Sequence, residues 1–269
     1  MNFVLNYARL LGSLGRYTLA RELSLRGNFL VKVSVEVIWL GIMIAFYATV
    51  FAKTKTIAGW SENQYLFFVG SFFALNGLLE AIFVENCNEF AELVRTGDLD
   101  FLLLKPVDEQ FLISCRRVDW AVSMNIPMGG VVMVLALVRM HWEFDPARLL
   151  AFVVTFAAGV AIAYSFIITL ASTSVWLIRN QSLMEMWWLF SSLARYPKQI
   201  FSGSKAEPIG FAFTFILPIL LTSNVPADVM VRTLDPWMVA YTVFAAVVSL
   251  VASRWFFRHA LKSYRSASS

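Results

Sequence analysis

Long apolar runs recur along the chain, and six of them are long enough to cross a bilayer. A spanning helix needs about 20 consecutive, mostly apolar residues. The runs occupy residues 30–51, 65–84, 118–138, 149–178, 209–225 and 237–257. This pattern predicts an all-α, polytopic membrane protein with six transmembrane helices. The fourth run is long enough to tilt or to extend beyond the hydrocarbon, whereas the fifth is short and contains Pro218.

A further apolar stretch, residues 183–193, contains MEMWWLF and is too short to cross the membrane. Two interpretations fit it. Residues 183–203 form an interfacial segment, or residues 183–193 are the first part of a broken span whose second part surrounds Pro218.

The first 28 residues have the period of an amphipathic helix. Its less polar face carries Phe3, Tyr7, Leu10, Leu11, Leu14 and Thr18, and its polar face carries Asn6, Arg9, Ser13 and Arg16. Basic residues interrupt the stretch throughout, so it does not have the pattern of a signal peptide. We predict a helix over residues 1–28 that lies in the membrane interface. The alternative is a cytoplasmic helix packed on the rest of the protein.

Composition supports a single membrane domain. The chain is 59% hydrophobic and 15% charged, with a mean hydropathy of +0.67, which lies well outside the range of soluble proteins. We assign residues 29–258 to a six-span domain and residues 259–269 to a cytoplasmic tail. Two cysteines, Cys87 and Cys115, indicate neither a disulfide framework nor a metal site.

The basic residues predict the orientation. If the N-terminus is inside, 17 of the 22 Lys and Arg residues fall on the inner side, which leaves outside only Lys53, Lys55, Arg139, Arg148 and Arg232. Because cytoplasmic loops carry the excess of basic residues, both termini and the loop over residues 85–117 are predicted to be cytoplasmic. The net charge of +4 then indicates attraction to anionic membrane lipids rather than to nucleic acid.

The sequence contains no phosphate-binding loop, no H-E-x-x-H motif and only two, widely separated histidines. We therefore predict that this chain has no catalytic, metal or cofactor site. Polar and ionisable groups inside predicted spans are functional candidates, and here they are Glu36, Asn76 and Glu80. For Glu36, the structural alternative is an ion pair with Lys32, one helical turn earlier.

Small residues spaced four apart predict close helix packing. Gly70 with Ala74, and Gly159 with Ala163, each form a small-xxx-small step. Such a step serves packing within the chain or a dimer face.

The loop between the second and third runs contains VRTGDLDFLLLKPVD, starting at residue 94. Gly97 is predicted to end a helix that begins near residue 90, because glycine adopts the left-handed conformation without strain. Asp98 is then placed to cap a second short helix, and Pro106 to end it. The segment from Phe101 to Leu104 gives this helix an apolar face that fits a hydrophobic groove on a partner.

This loop resembles the E-x-x-x-G-T-L-E-x-L-L-x-x-P loop of the type 2 ATP-binding-cassette (ABC) export permeases. The matching positions are Glu92, Gly97, Leu99, Asp100, Leu102, Leu103 and Pro106. Residues 223–236 are similar to the outer loop before the last span of that family. ARYPKQIF, at 194–201, resembles a bacterial subgroup whose permeases are often encoded beside a second, different permease and a separate ATPase.

The resemblance implies the permease subunit of an exporter that moves an amphiphilic or lipid-like solute outward. Its implied partners are a cytoplasmic ABC ATPase that binds ATP and Mg, membrane lipids, and a second copy or a sister permease in the bacterial inner membrane. The implied ATPase-coupling residues are Glu92, Arg95, Gly97, Asp98, Leu99, Asp100, Phe101, Leu102, Leu103, Leu104, Lys105 and Pro106. Two alternatives remain: a non-transporting scaffold or sensor that recruits a soluble protein through residues 94–108, and an intramembrane enzyme that uses Glu36 or Glu80.

Overall fold

The computed structural model describes residues 2–177, 181–201, 203 and 206–264, and the side chains of residues 7–177 and 185 onward within them. These residues form helices and connections without a β-strand, which confirms the all-α prediction. Some positions lie outside the described residues: three of the 17 inner-side basic residues counted above, Arg179, Lys205 and Arg265, and the side chains of Phe3 and Asn6.

The helices follow one another with short connections. They are α1 Asn2–Ser24, α2 Arg26–Phe51, α3 Glu62–Leu79, α4 Glu85–Thr96, α5 Leu99–Leu103, α6 Glu109–Cys115, α7 Trp120–Ser123, α8 Asn125–Arg139, α9 Pro146–Ser172, α10 Gln181–Ala194, α11 Glu207–Phe211, α12 Ile219–Val231 and α13 Pro236–Ser263. A π-helical turn, Glu80–Val84, joins α3 to α4, and another, Ala212–Ile216, extends α11.

Five segments are long and apolar enough to cross a membrane: Arg26–Phe51, Glu62–Thr96, Trp120–Arg139, Pro146–Val175 and Pro236–Ser263. A sixth is formed if Glu207–Ile216 and Ile219–Val231, which meet at 89°, count as one broken span. The fold is thus polytopic, as predicted, and the predicted short fifth run is this bent pair.

The bend differs from the sequence prediction. The break lies at Leu217 and Pro218, and both arms of the pair follow α10, so residues 183–193 are not the first part of this broken span. The second arm, α12, buries all 13 of its residues. The predicted outer loop over residues 223–236 is therefore wrong up to Val231, and only residues 232–235 connect α12 to α13.

Aspartate and proline fix where two spans begin. Asp145 precedes Pro146, and its carboxylate accepts hydrogen bonds from the N–H groups of Ala147 (2.9 Å) and Arg148 (3.3 Å). Asp235 caps α13 in the same way, and Pro236 follows it. Proline suits the first helical position because the N–H that it lacks has no partner there anyway.

Two glycine contacts hold the spans together. A Cβ on Gly129 of α8 would lie 2.4 Å from the carbonyl oxygen of Gly70 on α3, and a Cβ on Gly159 of α9 would lie 2.5 Å from that of Thr222 on α12. Only a hydrogen fits at these distances, so both crossings require glycine. The close approaches predicted at Gly70 and Gly159 thus serve packing within the chain.

Helix α1 lies against the loop and the start of the third span. Tyr7 and Phe111 of α6 meet edge to face at 4.8 Å, and the Trp120 indole donates to the Gly15 carbonyl (2.9 Å). On the less polar face of α1, Thr18 is buried and Tyr7, Leu10, Leu11 and Leu14 are half-buried, whereas Arg9 and Arg16 are exposed. The two predicted faces are confirmed, and the less polar one packs on the protein. A location in the membrane interface stays a prediction.

Candidate functional site

The loop between the second and third spans begins as a direct extension of a spanning helix. Helix α4 continues α3 through the π turn and ends at Gly97, which has φ of 82°. Gly97 therefore takes the predicted left-handed conformation, where a Cβ would add strain. The helix that it ends starts at Glu85, earlier than the predicted residue 90.

The second short helix, α5, lies where the sequence predicts it, but the predicted cap is wrong. Asp98 occupies the N-cap position without a side-chain capping bond. Its carboxylate instead accepts a hydrogen bond from the Thr96 hydroxyl (2.8 Å), and the Asp100 N–H donates to the Gly97 carbonyl (3.1 Å). A threonine two residues earlier competes for the carboxylate, as short polar side chains near turns commonly do.

The apolar residues of α5 point in two directions. Leu99 and Leu102 are 0% and 8% exposed, and Leu99 joins a core that contains Phe90, Phe257 and Ile113. Phe101 and the following Leu104 are 69% and 82% exposed. The predicted docking face from Phe101 to Leu104 is therefore wrong for Leu102, which the protein itself covers. Leu103 packs, partly buried, on the same core.

Charged residues of the same loop are exposed together with this pair. Glu92, Arg95, Asp98, Lys105 and Pro106 are exposed, and the Arg95 Nε donates to a Glu92 carboxylate oxygen at 2.9 Å. The loop thus presents two apolar side chains inside a rim of both signs. We call Phe101, Leu104 and this rim the α5 surface.

Asp108 fastens the end of the loop. Its carboxylate caps α6 by accepting from the Phe111 N–H (3.1 Å) and also accepts from Arg254 Nη1 on α13 (3.0 Å). Its own N–H donates to the Tyr7 hydroxyl (3.0 Å). Burial alone would raise the pKa of this carboxyl, but the Arg254 and Phe111 hydrogen bonds outweigh it and hold the pKa below its usual range.

Further contacts tie the loop to itself and to α9. Glu89 pairs with both Arg116 and Arg117. The Asn86 side chain donates to the Arg117 carbonyl (2.7 Å) and accepts from its N–H (3.0 Å). On α9, the Tyr164 hydroxyl lies 2.9 Å from the Gln110 amide nitrogen and 2.9 Å from the Ser114 hydroxyl. The loop that carries the α5 surface is therefore bonded directly to α9 and α13.

The three polar candidates within the spans come together. Glu36, Asn76 and Glu80 line one cavity of about 100 Å³, together with Asn125 and Arg195. Asn125 donates to a Glu36 carboxylate oxygen at 2.8 Å. We call these five residues the polar pocket.

The predicted pair between Lys32 and Glu36 is wrong. Lys32 instead contacts Asp119, at the start of the third span, at 2.8 Å. A partner distant in sequence thus replaces the local one, and Glu36 takes Asn125 as its own.

The stretch ARYPKQIF is fastened to α12. Asn224 is fully buried, and its side chain accepts from the Lys198 N–H (2.6 Å) and donates to the Tyr196 carbonyl (3.4 Å). Asp228 lies 3.6 Å from the Lys198 ammonium and 3.2 Å from Arg232. The polar residues that suggest an exposed loop between residues 223 and 236 are therefore buried partners of the chain before α11.

Sequence reasoning missed three residues of these sites. Asn125 is polar within a predicted span, as Asn76 is, and the same criterion would have selected it. Arg195 and Arg254 entered only as inner-side basic residues, although Arg195 directly precedes the tyrosine-proline pair. Among the described residues, no group of three or more His, Cys, Asp or Glu side chains has a metal-binding arrangement.

Comparison with known proteins agrees with this architecture. No curated protein and no solved structure shows significant similarity to the chain. The family model described as ABC-2 family transporter protein matches residues 37–268, which include five of the six candidate spans in full, most of α2, and the loop that carries α5. The chain therefore belongs to the ABC-2 family of transporter proteins and is a multi-pass membrane component of an ABC transporter.

Proposed function

We propose that this chain is the permease subunit of an ATP-driven exporter in the bacterial inner membrane. In this proposal its termini and the α5 surface face the cytoplasm, and the α5 surface docks on an ABC ATPase that binds ATP and Mg. Two permeases, identical or sister chains, form the transmembrane path. The observation that carries the proposal is that α5 and the residue that follows it present an exposed pair, Phe101 and Leu104, and a buried pair, Leu99 and Leu102.

The exposed pair suits docking in a groove. Two large apolar side chains on one short helix bury apolar area when a partner covers them, and each contributes about 1.5–3 kcal/mol if burial is complete. A short helix needs only a few such anchors. The mixed charges around the pair provide the polar rim that fixes orientation.

The fastenings of the loop suit transmission. Asp108 with Arg254, and Tyr164 with Gln110, connect the α5 surface to α13 and α9. A rigid-body movement of the docked ATPase would then move both spans with it. Outward direction and an amphiphilic or lipid-like solute rest on the resemblance of the loop to export permeases.

The double variant Phe101→Ser/Leu104→Ser tests the docking. We expect it to fold as the parent does, because both side chains are exposed, and to lose ATPase copurification and solute-stimulated hydrolysis in native membranes. The matched control is Phe144→Ser, since Phe144 is also exposed but lies in the loop between the third and fourth spans. Copurification at the parental level in the double variant would contradict the proposal. If the unmodified chain binds the ATPase but the complex transports no solute, a scaffold is favoured over a permease.

A further inference from the structure

The polar pocket lies within the spans although its residues are costly to place there. Glu36 is ten residues into α2, about 15 Å along the helix axis from Arg26. Five segments contribute: α2, α3, the π turn, α8 and the end of α10. Ionisable residues at such positions are rare in membrane helices and usually serve a function.

Asn125 leaves an acceptor unused in this pocket. The residue is 5% exposed, and its amide nitrogen donates to Glu36. A carboxylate accepts hydrogen bonds only, so the amide cannot be turned round without placing two oxygens in contact. The Asn125 Oδ1 is then buried without a hydrogen-bond donor among the described residues. A buried acceptor without a donor is costly, and a ligand with an N–H group would remove that cost.

The charges of the pocket do not cancel when both carboxyls are ionised. Glu36 and Glu80 supply two negative charges, and Arg195 supplies one positive charge. The Arg195 guanidinium lies 5.7 Å from the ring centroids of both Trp39 and Phe72, which hold it in place by cation–π contacts. One further positive charge would balance the group, and buried charges are stabilised by such pairing.

We propose that the polar pocket binds the primary ammonium group of an amphiphile. Glu36, Glu80 and the Asn125 oxygen supply at least one acceptor for each of the three N–H donors of that group. The cavity has room for several non-hydrogen atoms but not for a whole amphiphile, so the apolar part must lie outside it. Trp39 and Trp188 line the pocket and are both about half exposed, which provides an apolar contact at its edge.

The bilayer is the route of entry in this arrangement. Only 11% of the membrane-spanning stretch of α2, the helix that carries Glu36 and Trp39, is buried by the described chain, so one wall of the pocket is left uncovered. The bound amine can come from an aminophospholipid such as phosphatidylethanolamine or from a single-chain amphiphilic amine. That this amine belongs to the exported solute rests on the proposed function, whereas binding itself does not.

Binding of radiolabelled dodecylamine to the purified full chain tests the inference. The chain is placed in phosphatidylcholine and phosphatidylglycerol nanodiscs, which contain no primary amine, without ATPase or nucleotide. We expect saturable binding that Glu36→Gln and Glu80→Gln each weaken about tenfold or more, because each removes one charge partner. The Gln side chain keeps an acceptor for Asn125. Glu143→Gln, an exposed residue outside the spans, is the control and should bind as the parent does.

Competitors identify the chemistry. Dodecyltrimethylammonium has the same chain and charge but no N–H, and we expect it to compete at least about tenfold less well than unlabelled dodecylamine. Competition by added phosphatidylethanolamine indicates a lipid source, and its absence indicates a single-chain amine. The inference is overturned if dodecyltrimethylammonium competes as well as dodecylamine does, or if sodium ions at the same concentration as dodecylamine displace the label. It is also overturned if both Gln variants bind dodecylamine as the parent does.

The two experiments distinguish a wrong pocket inference from a wrong proposed function. If dodecylamine binds as expected while Phe101→Ser/Leu104→Ser retains its ATPase, the pocket stands and the docking proposal is wrong. If the α5 surface docks the ATPase while dodecylamine binding is neither saturable nor sensitive to Glu36→Gln, the pocket inference alone is wrong. Size-exclusion profiles of all variants establish that each is folded.

Discussion

Helix α5 is a mostly apolar segment that is partly exposed, whereas helix α12 contains polar residues and is buried. Four of the five residues of α5 (LDFLL) are apolar, yet Phe101 is exposed. Leu104, the residue that follows the helix, is exposed as well. The segment ILLTSNVPADVMV contains Asn224 and Asp228, yet it is buried along its whole length. Hydrogen-bond and charge partners therefore decide burial as much as composition does: α12 has its partners in the preceding segment, whereas no described residue covers the side chains of Phe101 and Leu104.

The crossing of α12 with α9 should be the most sensitive point. In Gly159→Leu, the new Cβ meets the Thr222 backbone at 2.5 Å, and backbone atoms cannot move aside as a flexible side chain can. Overpacking costs about 1–3 kcal/mol and more where nothing yields, so we expect loss of monodisperse protein on size exclusion. Gly130→Leu is the matched control, since a Cβ there meets nothing within 4 Å. Equal loss in both variants would show that leucine itself is the cause.

The buried amide of α12 should be next in effect. Asn224→Ala removes the partners of the Lys198 N–H and the Tyr196 carbonyl. Each unsatisfied buried group costs about 1–3 kcal/mol, so the temperature of thermal unfolding in detergent should fall by several degrees. Asn28→Ala, at an exposed asparagine, should unfold as the parent does. If the two variants unfold at the same temperature, the contacts of Asn224 do not hold α12 in place.

The two faces of α5 should respond differently to the same truncation. We expect Leu102→Ala to lower the free energy of unfolding by about 2–3 kcal/mol, because it leaves a cavity in the core. Leu104→Ala should change it by less than about 0.5 kcal/mol, because the side chain is exposed. Urea or thermal unfolding of both variants measures the contrast. Similar losses in the two variants would mean that α5 does not have the two faces described.

The smallest effect concerns pH. The pKa of Asp108 is lowered in the folded protein, so its pair with Arg254 stabilises the fold above the ordinary aspartate pKa of about 4 and is lost as pH falls through the lower, folded value. The pair is partly exposed, and we expect about 0.5–1 kcal/mol. Thermal unfolding should show that advantage over Asp108→Asn at pH 7, and the advantage should shrink as pH falls below about 4. An advantage that does not shrink in acid would assign it to another interaction.

Local chemistry could be predicted from the sequence, and partners distant along the chain could not. Gly97 ends its helix because only glycine takes that backbone conformation without strain, so this helix end was predictable. The break at Leu217 and Pro218 was not, because another proline, Pro226, lies inside α12 without breaking it. The pairing of Lys32 with Asp119, 87 residues away, replaces a local pair that spacing alone favours. Likewise, no pattern within residues 223–231 shows that Lys198 and Tyr196 complete their hydrogen bonds. Three of the five residues of the polar pocket were predicted from their position within the spans, and the other two were not.

The π turn Glu80–Val84 gives the molecule a shared pivot. It fits one extra residue into a helical turn, so deleting one residue there would leave a continuous α-helix through α3 and α4 with little change in the direction of α4. Glu80 lies in the same turn and lines the polar pocket. A torsion applied to α4 from the Gly97 end therefore has a continuous backbone path to the Glu80 carboxylate.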